Sequence, residues 1–155
     1  MTDESVEEKK KNSRAALTLW GIVSVTLIAM LLVLIVRTFV VEVYEIKGAS
    51  MDPTFQSGHR VIVIKLFNTI ERRDIVIFTS PDSQRVLVKR VIGMPGDKYE
   101  LHGQVKTLKL GEYFVMGDNR PDSHDSRFFG PIKADAIIGE VFYRWWPWDK
   151  AGGVE

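Results

Sequence analysis

The sequence predicts a small, mostly β domain that follows a single transmembrane helix. Three observations lead to this prediction. Residues 17–36 form an apolar run without charge or proline. The rest of the chain contains four runs rich in Val, Ile and Phe, separated by turn-forming segments, and no strong helical periodicity. The length of 155 residues leaves room for one domain behind such a helix.

The apolar run has the length of a membrane span. Its twenty residues would extend over ~30 Å as a helix, which is the thickness of the hydrocarbon core. A buried core helix would be amphipathic and usually shorter, and a cleaved signal peptide has an apolar region of ~7–15 residues before a small-residue cleavage site. Residues 37–41 contain no such site. We therefore predict an uncleaved transmembrane anchor at residues 17–37.

Basic residues around the anchor predict its orientation, because cytoplasmic flanks carry an excess of Lys and Arg. Four of them precede the run and two follow it closely: Lys9, Lys10, Lys11 and Arg14, then Arg37 and Lys47. This distribution predicts a single-pass protein of the cell membrane. Residues 1–16 would be a polar, mobile cytoplasmic tail, and residues 38–155 an extracytoplasmic domain.

The β-rich part is predicted from local composition. Segments rich in β-branched and aromatic residues are expected as strands at 36–46, 60–67, 74–80 and 85–94. Pro, Gly and Asp predict turns at 80–83 and 94–97. A weak helical pattern occurs at 133–140.

Composition excludes several classes of function. The chain has 21 Lys+Arg and 20 Asp+Glu, a net charge of +1, which argues against a nucleic-acid partner. Cysteine is absent, so disulfides, Cys-ligated metals and a thiol nucleophile are excluded. The three histidines, at 59, 102 and 124, lack the spacing of metal ligands. We expect no metal site and no cofactor.

Lys89 is a candidate base. A strand would place it on one face with Leu87 and Val91. A lysine in such a position is either an edge-strand residue that prevents aggregation or a buried amine. Burial would lower its pKa from ~10.4, because the ammonium loses its hydration, and a neutral amine can act as a general base.

Two further segments contain candidate catalytic groups. Ser50 follows a predicted strand in a small-residue turn, where it is either an exposed nucleophile or a serine that caps its loop. Residues 117–130 are dense in Asp, Arg and Ser and form either a hydrogen-bonded network or a polar surface loop. A triad of Ser123, His124 and Asp125 is disfavoured, because adjacent side chains on an extended loop diverge.

Four segments together resemble the conserved boxes of bacterial type I signal peptidases, the membrane-bound serine–lysine proteases that remove signal peptides. They occur in family order behind the anchor, at 49–54, 73–78, 89–97 and 117–130. The short connection between the last two is similar to that of compact, single-anchor members. The resemblance implies the signal-peptidase type of β domain, with signal peptides of exported preproteins as substrates.

The resemblance also implies residue roles. Ser50 would be the nucleophile, Lys89 its general base, and Ser123 a hydroxyl that orients the Lys89 amine. The supporting network would consist of Asp118, Asp125, Arg127 and Arg90. Shallow substrate pockets would be lined by candidates such as Tyr44, Ile46, Val86 and Val88.

The sequence departs from the family pattern at two positions. Gly48 stands where some members place a serine whose hydroxyl completes the oxyanion hole, and Arg73 stands where glycine is usual. The alternative function is a catalytically silent relative that assists assembly of surface proteins. Such a relative need keep neither Ser50 nor Lys89.

Residues 144–148, Arg-Trp-Trp-Pro-Trp, are a candidate contact with membrane lipid, because tryptophan favours the membrane–water interface. Packing of one or more of these rings into the core is an equally good interpretation. Docking by bulk charge is disfavoured, because residues 38–155 carry 16 basic and 16 acidic residues.

Overall fold

The structure, a computed structural model, describes residues 3–65 and 69–154. The chain divides into two compact units, residues 1–39 and residues 40–155. The first unit is a single helix, α1 (Asp3–Phe39). Its segment Thr18–Phe39, with a mean hydropathy of 2.8, is by length and composition long and apolar enough to cross a membrane.

Helix α1 begins much earlier than the apolar run. The sequence analysis expected residues 1–16 to be a mobile tail, whereas the described helix starts at Asp3. Glu, Lys and Ala, which dominate this stretch, have high helix propensity. Glu7 and Lys11 also stand four residues apart, a spacing that favours a helix.

The second unit is built around one antiparallel sheet. In the described residues its strands are β1 (Val41–Glu45), β2 (Arg60–Ile64), β3 (Ile75–Thr79), β4 (Val86–Gly93), β5 (Lys98–Leu101), β6 (Gln104–Thr107), β7 (Glu112–Met116), β8 (Ile132–Lys133), β9 (Ile137–Trp146) and β10 (Gly152–Gly153). The order in the large sheet is β1-β2-β9-β3-β4-β7-β8, and β10 pairs with β9. Strands β5 and β6 form a separate hairpin.

Short helical segments complete the unit. The four-residue helix α2 (Ser126–Phe129) begins at the N-cap residue Asp125, whose side chain accepts a hydrogen bond from the Arg127 backbone. Single 3-10 turns occupy Arg120–Asp122, Ala134–Ala136 and Trp148–Lys150.

The sheet is covered on both faces around β3, where Ile75 to Phe78 are all buried. Alternate strand residues point to opposite faces. Accordingly, Ile75 and Ile77 pack in one cluster with Ile46, Met51, Phe55, Val61, Val63 and Val141. Val76 and Phe78 pack in the other with Ile70, Val91, Val115, Ile132 and Ile137.

Strands β1 to β4 confirm the four predicted strands, except that residues 36–39 of the first belong to α1. The end of the second, residues 66–67, lies outside the described residues. The weak helical pattern at 133–140 corresponds to a single 3-10 turn at Ala134–Ala136 and is wrong beyond it, because β9 starts at Ile137 and pairs with both β2 and β3. Successive β-branched residues favour a strand once neighbouring strands are available to bury them.

The tryptophans near residue 148 divide between surface and interior. Trp148 is 68% exposed and Trp146 is 40% exposed. The Trp145 ring packs edge-on against Trp148, with a centroid distance of 5.5 Å, and its indole nitrogen is buried. Part of this segment is therefore exposed and part is packed inside the domain, and its contact with membrane lipid stays a prediction.

Candidate active site

The structure brings Ser50 and Lys89 into contact. Ser50 is the second residue of the loop 49–58, here called the Ser50 loop, whereas Lys89 lies in β4. The Lys89 Nζ atom donates hydrogen bonds to Ser50 Oγ, at 2.7 Å, and to the Val88 carbonyl, at 3.0 Å. Lys89 is only 3% exposed, so it is not a solvated edge-strand lysine.

Burial lowers the pKa of the Lys89 amine, because removing water penalises its charged form. The negative charges of Asp125 and Asp118 oppose this shift without cancelling it. A larger fraction of the amine is therefore neutral than for an exposed lysine. A neutral amine next to a hydroxyl is a competent proton acceptor.

Asn119 holds the peptide groups on both sides of the serine. Its side-chain amide donates to the Ala49 carbonyl at 3.1 Å, and its backbone N–H donates to the Ser50 carbonyl at 3.0 Å. The sequence analysis gave Asn119 no role. Its place beside Asp118 in the fourth motif was the available signal.

Gly117 allows the closest approach of the 117–130 loop to the Ser50 loop. A Cβ atom at this position would collide with the Ser123 side chain and with the Ser50 carbonyl oxygen. The backbone therefore passes between the two residues only because no side chain is present.

The first charged network joins β4 to both loops. Arg90 donates two hydrogen bonds to the Asp118 carboxylate, at 2.9 and 2.8 Å, and the Thr54 hydroxyl donates a third at 2.6 Å. Burial raises the pKa of Asp118, but the Arg90 and Thr54 hydrogen bonds outweigh it and hold the pKa below its usual value. The carboxylate is therefore ionised at neutral pH.

The second charged network lies within the 117–130 loop. Asp125 is fully buried and accepts from the Arg127 guanidinium at 2.8 and 3.0 Å, from the Ser123 hydroxyl at 2.7 Å and from the Gly117 N–H at 3.0 Å. Burial raises the pKa of Asp125, and the Arg127 and Ser123 hydrogen bonds more than reverse that effect.

Ser123 differs from the expectation. The resemblance implied a hydrogen bond to the Lys89 amine, but the Ser123 hydroxyl donates to Asp125 instead. Within the described residues, the two acceptors of Lys89 Nζ are Ser50 and Val88. The Asp125 carboxylate is a stronger acceptor than the Lys89 amine, because a hydrogen bond to an ionised group is charge-assisted. The Lys89 amine is also already engaged with Ser50 and Val88.

Ser50 and Lys89 lie in a cleft of about 590 Å³. Its walls are residues 47–50, strand β4 with the turn before it, and the 117–130 loop. Besides Ser50 and Lys89, the lining includes Lys47, Gly48, Asp82, Arg85, Leu87, Asp122 and His124. This mixture of small, apolar and charged groups suits a peptide better than a compact apolar ligand.

The four predicted substrate-binding residues are not part of this lining. Ile46 is 3% exposed in the core, and Tyr44 and Val88 pack against the same cluster. Val86 is 51% exposed. Because strand residues alternate, Val86 and Val88 lie on the face of β4 opposite to Lys89, whereas Leu87 shares its face.

The two departures from the family pattern have backbone explanations. Gly48 has a φ of 87°, a conformation that a serine would adopt only with strain. Arg73 has a φ of 82°, which favours glycine, and its N–H still donates to the Val91 carbonyl. The turn therefore keeps a glycine-like conformation despite the arginine.

The histidines are scattered in the structure too. His59 is buried and accepts a hydrogen bond from the Gln56 backbone. His124 contacts Asp82. Among the described residues, no group of three or more His, Cys, Asp or Glu side chains could hold a metal ion.

Comparison with known proteins identifies the family. The sequence matches the family of signal peptidases, peptidase S26, over residues 19–107 and 99–146. Signal peptidase I V of Bacillus subtilis is 38% identical over 161 residues, covering 78% of this chain and 92% of that protein. Signal peptidase IB of a Staphylococcus aureus strain is 35% identical over 167 residues, with coverages of 79% and 87%.

A solved structure is also similar in sequence. The crystal structure of a signal peptidase I from Enterococcus faecalis is 28% identical and covers 49% of this chain and 99% of that chain, with a TM-score of 0.42.

These relatives are peptidases, and the similarity extends over most of this chain. The chain belongs to the signal peptidase family, peptidase S26. Membership supports signal-peptide cleavage as its function, and the apolar helix α1 supports a membrane anchor.

Proposed function

We propose that this chain is a serine endopeptidase of the cell membrane that removes N-terminal signal peptides from exported preproteins, with Ser50 as nucleophile and Lys89 as general base. The observation that carries the proposal is the 2.7 Å contact between a serine hydroxyl and a buried amine. Burial lowers the pKa of this amine. Membership of the signal peptidase family supports the class of substrate.

In the proposed acylation step, the neutral Lys89 amine accepts the proton of the Ser50 hydroxyl. The Oγ atom bonds to the carbonyl carbon of the last residue of a small-x-small sequence. The tetrahedral intermediate collapses, the C–N bond breaks, and the Lys89 ammonium donates its proton to the departing amine of the mature protein.

In the proposed deacylation step, Lys89 accepts a proton from a water molecule that attacks the ester carbonyl. The bond between the acyl carbon and Ser50 Oγ then breaks, and the Lys89 ammonium returns the proton to the serine. The signal peptide leaves with a free carboxylate. One lysine thus serves as base and acid in both steps.

The Ser50 backbone N–H is the proposed oxyanion donor. It has no acceptor among the described residues, so it is available to a negative charge that develops beside it. Gly48 cannot supply the hydroxyl that some family members use. A second donor must therefore come from a backbone group or from water.

The supporting residues act on position. Asp118 and Arg90 tie β4 to the loops through contacts of 2.8 and 2.9 Å, and Asp125 and Arg127 shape the loop beside the dyad through similar contacts. We assign Ser123 an indirect role through Asp125 rather than a direct hydrogen bond to Lys89.

The substrate is proposed to bind as an extended strand along β4. Within the described residues, β4 pairs with β3 along Val86 to Arg90, but with β7 only from Arg90 onward. One edge of β4 next to Lys89 therefore has unpaired backbone groups. An added peptide strand would satisfy them and place its side chains alternately toward the cleft.

The proposed organisation in the membrane follows the sequence: a cytoplasmic segment at residues 1–16, an anchor at 17–37 and an extracytoplasmic peptidase domain at 38–155. The exposed rings of Trp146 and Trp148 are proposed lipid contacts.

The alternative, a catalytically silent assembly factor, is separated by one experiment. Full-length protein in detergent is incubated with a preprotein that carries an A-x-A site. The wild type should cleave at that site, and Ser50→Ala and Lys89→Ala should lose about 10³-fold or more of the rate. The matched controls, Ser57→Ala in the same loop and Lys106→Ala on β6, are exposed and should retain it.

The pH dependence tests the base. The cleavage rate should rise as Lys89 loses its proton, and it should do so below the ~10.4 of a free lysine, because burial lowers this pKa. Cleavage that survives in Lys89→Ala would contradict the assignment of the base. No cleavage by any form would favour the assembly factor.

A further inference from the structure

The cleft contains a hydrogen-bonded pair that the proposed chemistry does not use. His124 Nε2 lies 2.7 Å from Asp82 Oδ2. Asp82 belongs to the turn between β3 and β4, whereas His124 belongs to the 117–130 loop, 42 residues further along the chain. Both residues line the cleft together with Ser50 and Lys89. The pair therefore connects two separate walls of one cleft.

Asp82 is held in place by contacts that do not involve His124. Its Oδ1 atom accepts a hydrogen bond of 2.6 Å from the hydroxyl of Ser80, a fully buried residue. The turn is closed by the Ser80 N–H, which donates to the Arg85 carbonyl at 2.8 Å. Hydrogen bonds from Ser80 and His124 lower the pKa of Asp82 to about 2, so the carboxylate is charged at neutral pH.

His124 is fixed from the other side. Its ring stacks on Phe128, with a centroid distance of 5.1 Å, and meets Phe129 edge-on at 5.6 Å. Both phenylalanines belong to α2, whose first residues are anchored by Asp125. The orientation of the imidazole is therefore set by its own loop, and it points to the β3–β4 turn.

A substrate on the free edge of β4 would run past this bridge. From Lys89 back to Arg85, the last residue of the turn before β4, the chain covers four residues, or ~13 Å at ~3.3 Å per extended residue. We infer that the Asp82–His124 bridge is a specificity-determining wall, which limits the size of the substrate side chain lying about four residues from the scissile bond. This inference rests on the proposed peptidase function.

The pair is suited to shaping the cleft rather than to stabilising the fold. The His124 side chain is 58% exposed and that of Asp82 is 39% exposed, and polar pairs this open to water contribute little to stability. Substitutions at either position should therefore leave a folded protein, in which selectivity can be measured.

The test compares peptides on the full-length protein in detergent. A reference peptide has an A-x-A site and small residues elsewhere, and each member of the series carries one Trp at two to six residues from the scissile bond, on either side, with position −3 kept small. The readout is the ratio of kcat/KM for the reference to kcat/KM for each Trp peptide. In the wild type, one position about four residues away should give a ratio of about tenfold or more.

Asp82→Ala and His124→Ala should lower that ratio to about threefold or less, because either substitution opens the wall. The isosteric Asp82→Asn keeps the size of the wall and should retain the ratio. Glu45→Ala, which removes an exposed ion pair with Arg60 outside the cleft, is the matched control and should also retain it.

Each other outcome overturns the inference. A wild type without a selective position has no such wall, and unchanged ratios in both alanine variants would show that the bridge does not form it. Loss of selectivity in Asp82→Asn would assign the effect to charge rather than size. If the wild type fails to cleave even the reference peptide, the proposed function fails first and the role of the bridge fails with it.

Discussion

Two arginine–aspartate pairs flank Ser50 and Lys89, and they differ in what they connect. Arg90 and Asp118 are 28 residues apart, and Thr54 in the Ser50 loop joins their hydrogen bonds. Asp125 and Arg127 are two residues apart, within one loop. The first pair fixes the positions of separate elements relative to one another, whereas the second fixes the shape of a single loop.

The two carboxylates also differ in burial. The Asp125 side chain is 0% exposed and the Asp118 side chain is 15% exposed. Removing a fully buried carboxylate leaves its several hydrogen-bond donors without an acceptor, away from the water that could replace it. We therefore expect the local pair to matter most for folding, and the long-range pair to matter more for the geometry of catalysis.

The largest effect is expected for Asp125→Ala. The substitution leaves the Gly117 N–H, the Ser123 hydroxyl and the Arg127 guanidinium without their acceptor, at a cost of about 3–5 kcal/mol in the free energy of unfolding. Urea unfolding of the full chain in detergent, followed by tryptophan fluorescence, measures it. The exposed Asp135→Ala is the control and should change the free energy by less than about 0.5 kcal/mol. An equally small change at Asp125 would refute the structural role of the local pair.

Asp118→Asn should cost less stability, about 1–3 kcal/mol, but should lower kcat about tenfold or more, because the Ser50 loop loses a tie to β4. The negative charge of Asp118 also raises the pKa of Lys89. Removing that charge should therefore shift the rise in cleavage rate to lower pH.

The expected difference between the two pairs would be contradicted if Asp118→Asn destabilised the protein as much as Asp125→Ala. It would also be contradicted if kcat and its pH dependence in Asp118→Asn stayed at wild-type values. Glu112→Gln on β7 offers a control, because among the described residues its carboxylate accepts from the local Lys109 backbone and, unlike that of Asp118, from no distant group.

The sequence was sufficient for the parts of the fold and site that depend on local pattern. Val- and Ile-rich runs predicted β1 to β4. The apolar neighbours of Lys89 left two interpretations open, an edge-strand lysine or a buried amine, and the structure shows the buried one. The motif order brought Ser50 and Lys89 forward as candidates, and the structure has them 2.7 Å apart.

The parts that depend on long-range contacts were not predictable. Residue type does not show that the Asn119 amide reaches the Ala49 carbonyl, 70 residues away. It also does not show that the Ser123 hydroxyl prefers a buried carboxylate to an amine, because that choice depends on which acceptor the folded loop brings nearest. Similarly, β9 becomes a strand only because β2 and β3 offer it two partners.

Thr54→Val should have an intermediate effect that isolates the link between the long-range pair and the Ser50 loop. Valine has nearly the same shape but cannot donate to Asp118, so about 1–2 kcal/mol of stability should be lost. kcat should fall less than in Asp118→Asn, because Arg90 still holds the carboxylate. Thr107→Val on β6, an exposed position, should change neither quantity. A variant with unchanged kcat and stability would remove Thr54 from the network.

The smallest effect, a gain in stability rather than a loss, is expected for Arg73→Gly. Arg73 supplies the carbonyl that accepts from Arg90 Nη1 at 2.9 Å, and it holds this position at a φ of 82°, where a side chain is strained. Glycine keeps the carbonyl and relieves the strain, partly offset by the greater entropy of the unfolded chain, for a net gain of about 0.5–1 kcal/mol. kcat should stay unchanged, since Arg90 loses no acceptor. His102→Gly, at a φ of 52° in the exposed β5–β6 turn, should also gain stability without any effect on catalysis. A fall in kcat for Arg73→Gly alone would show that the stiffness of this turn, and not only its carbonyl, holds Arg90 in the long-range pair.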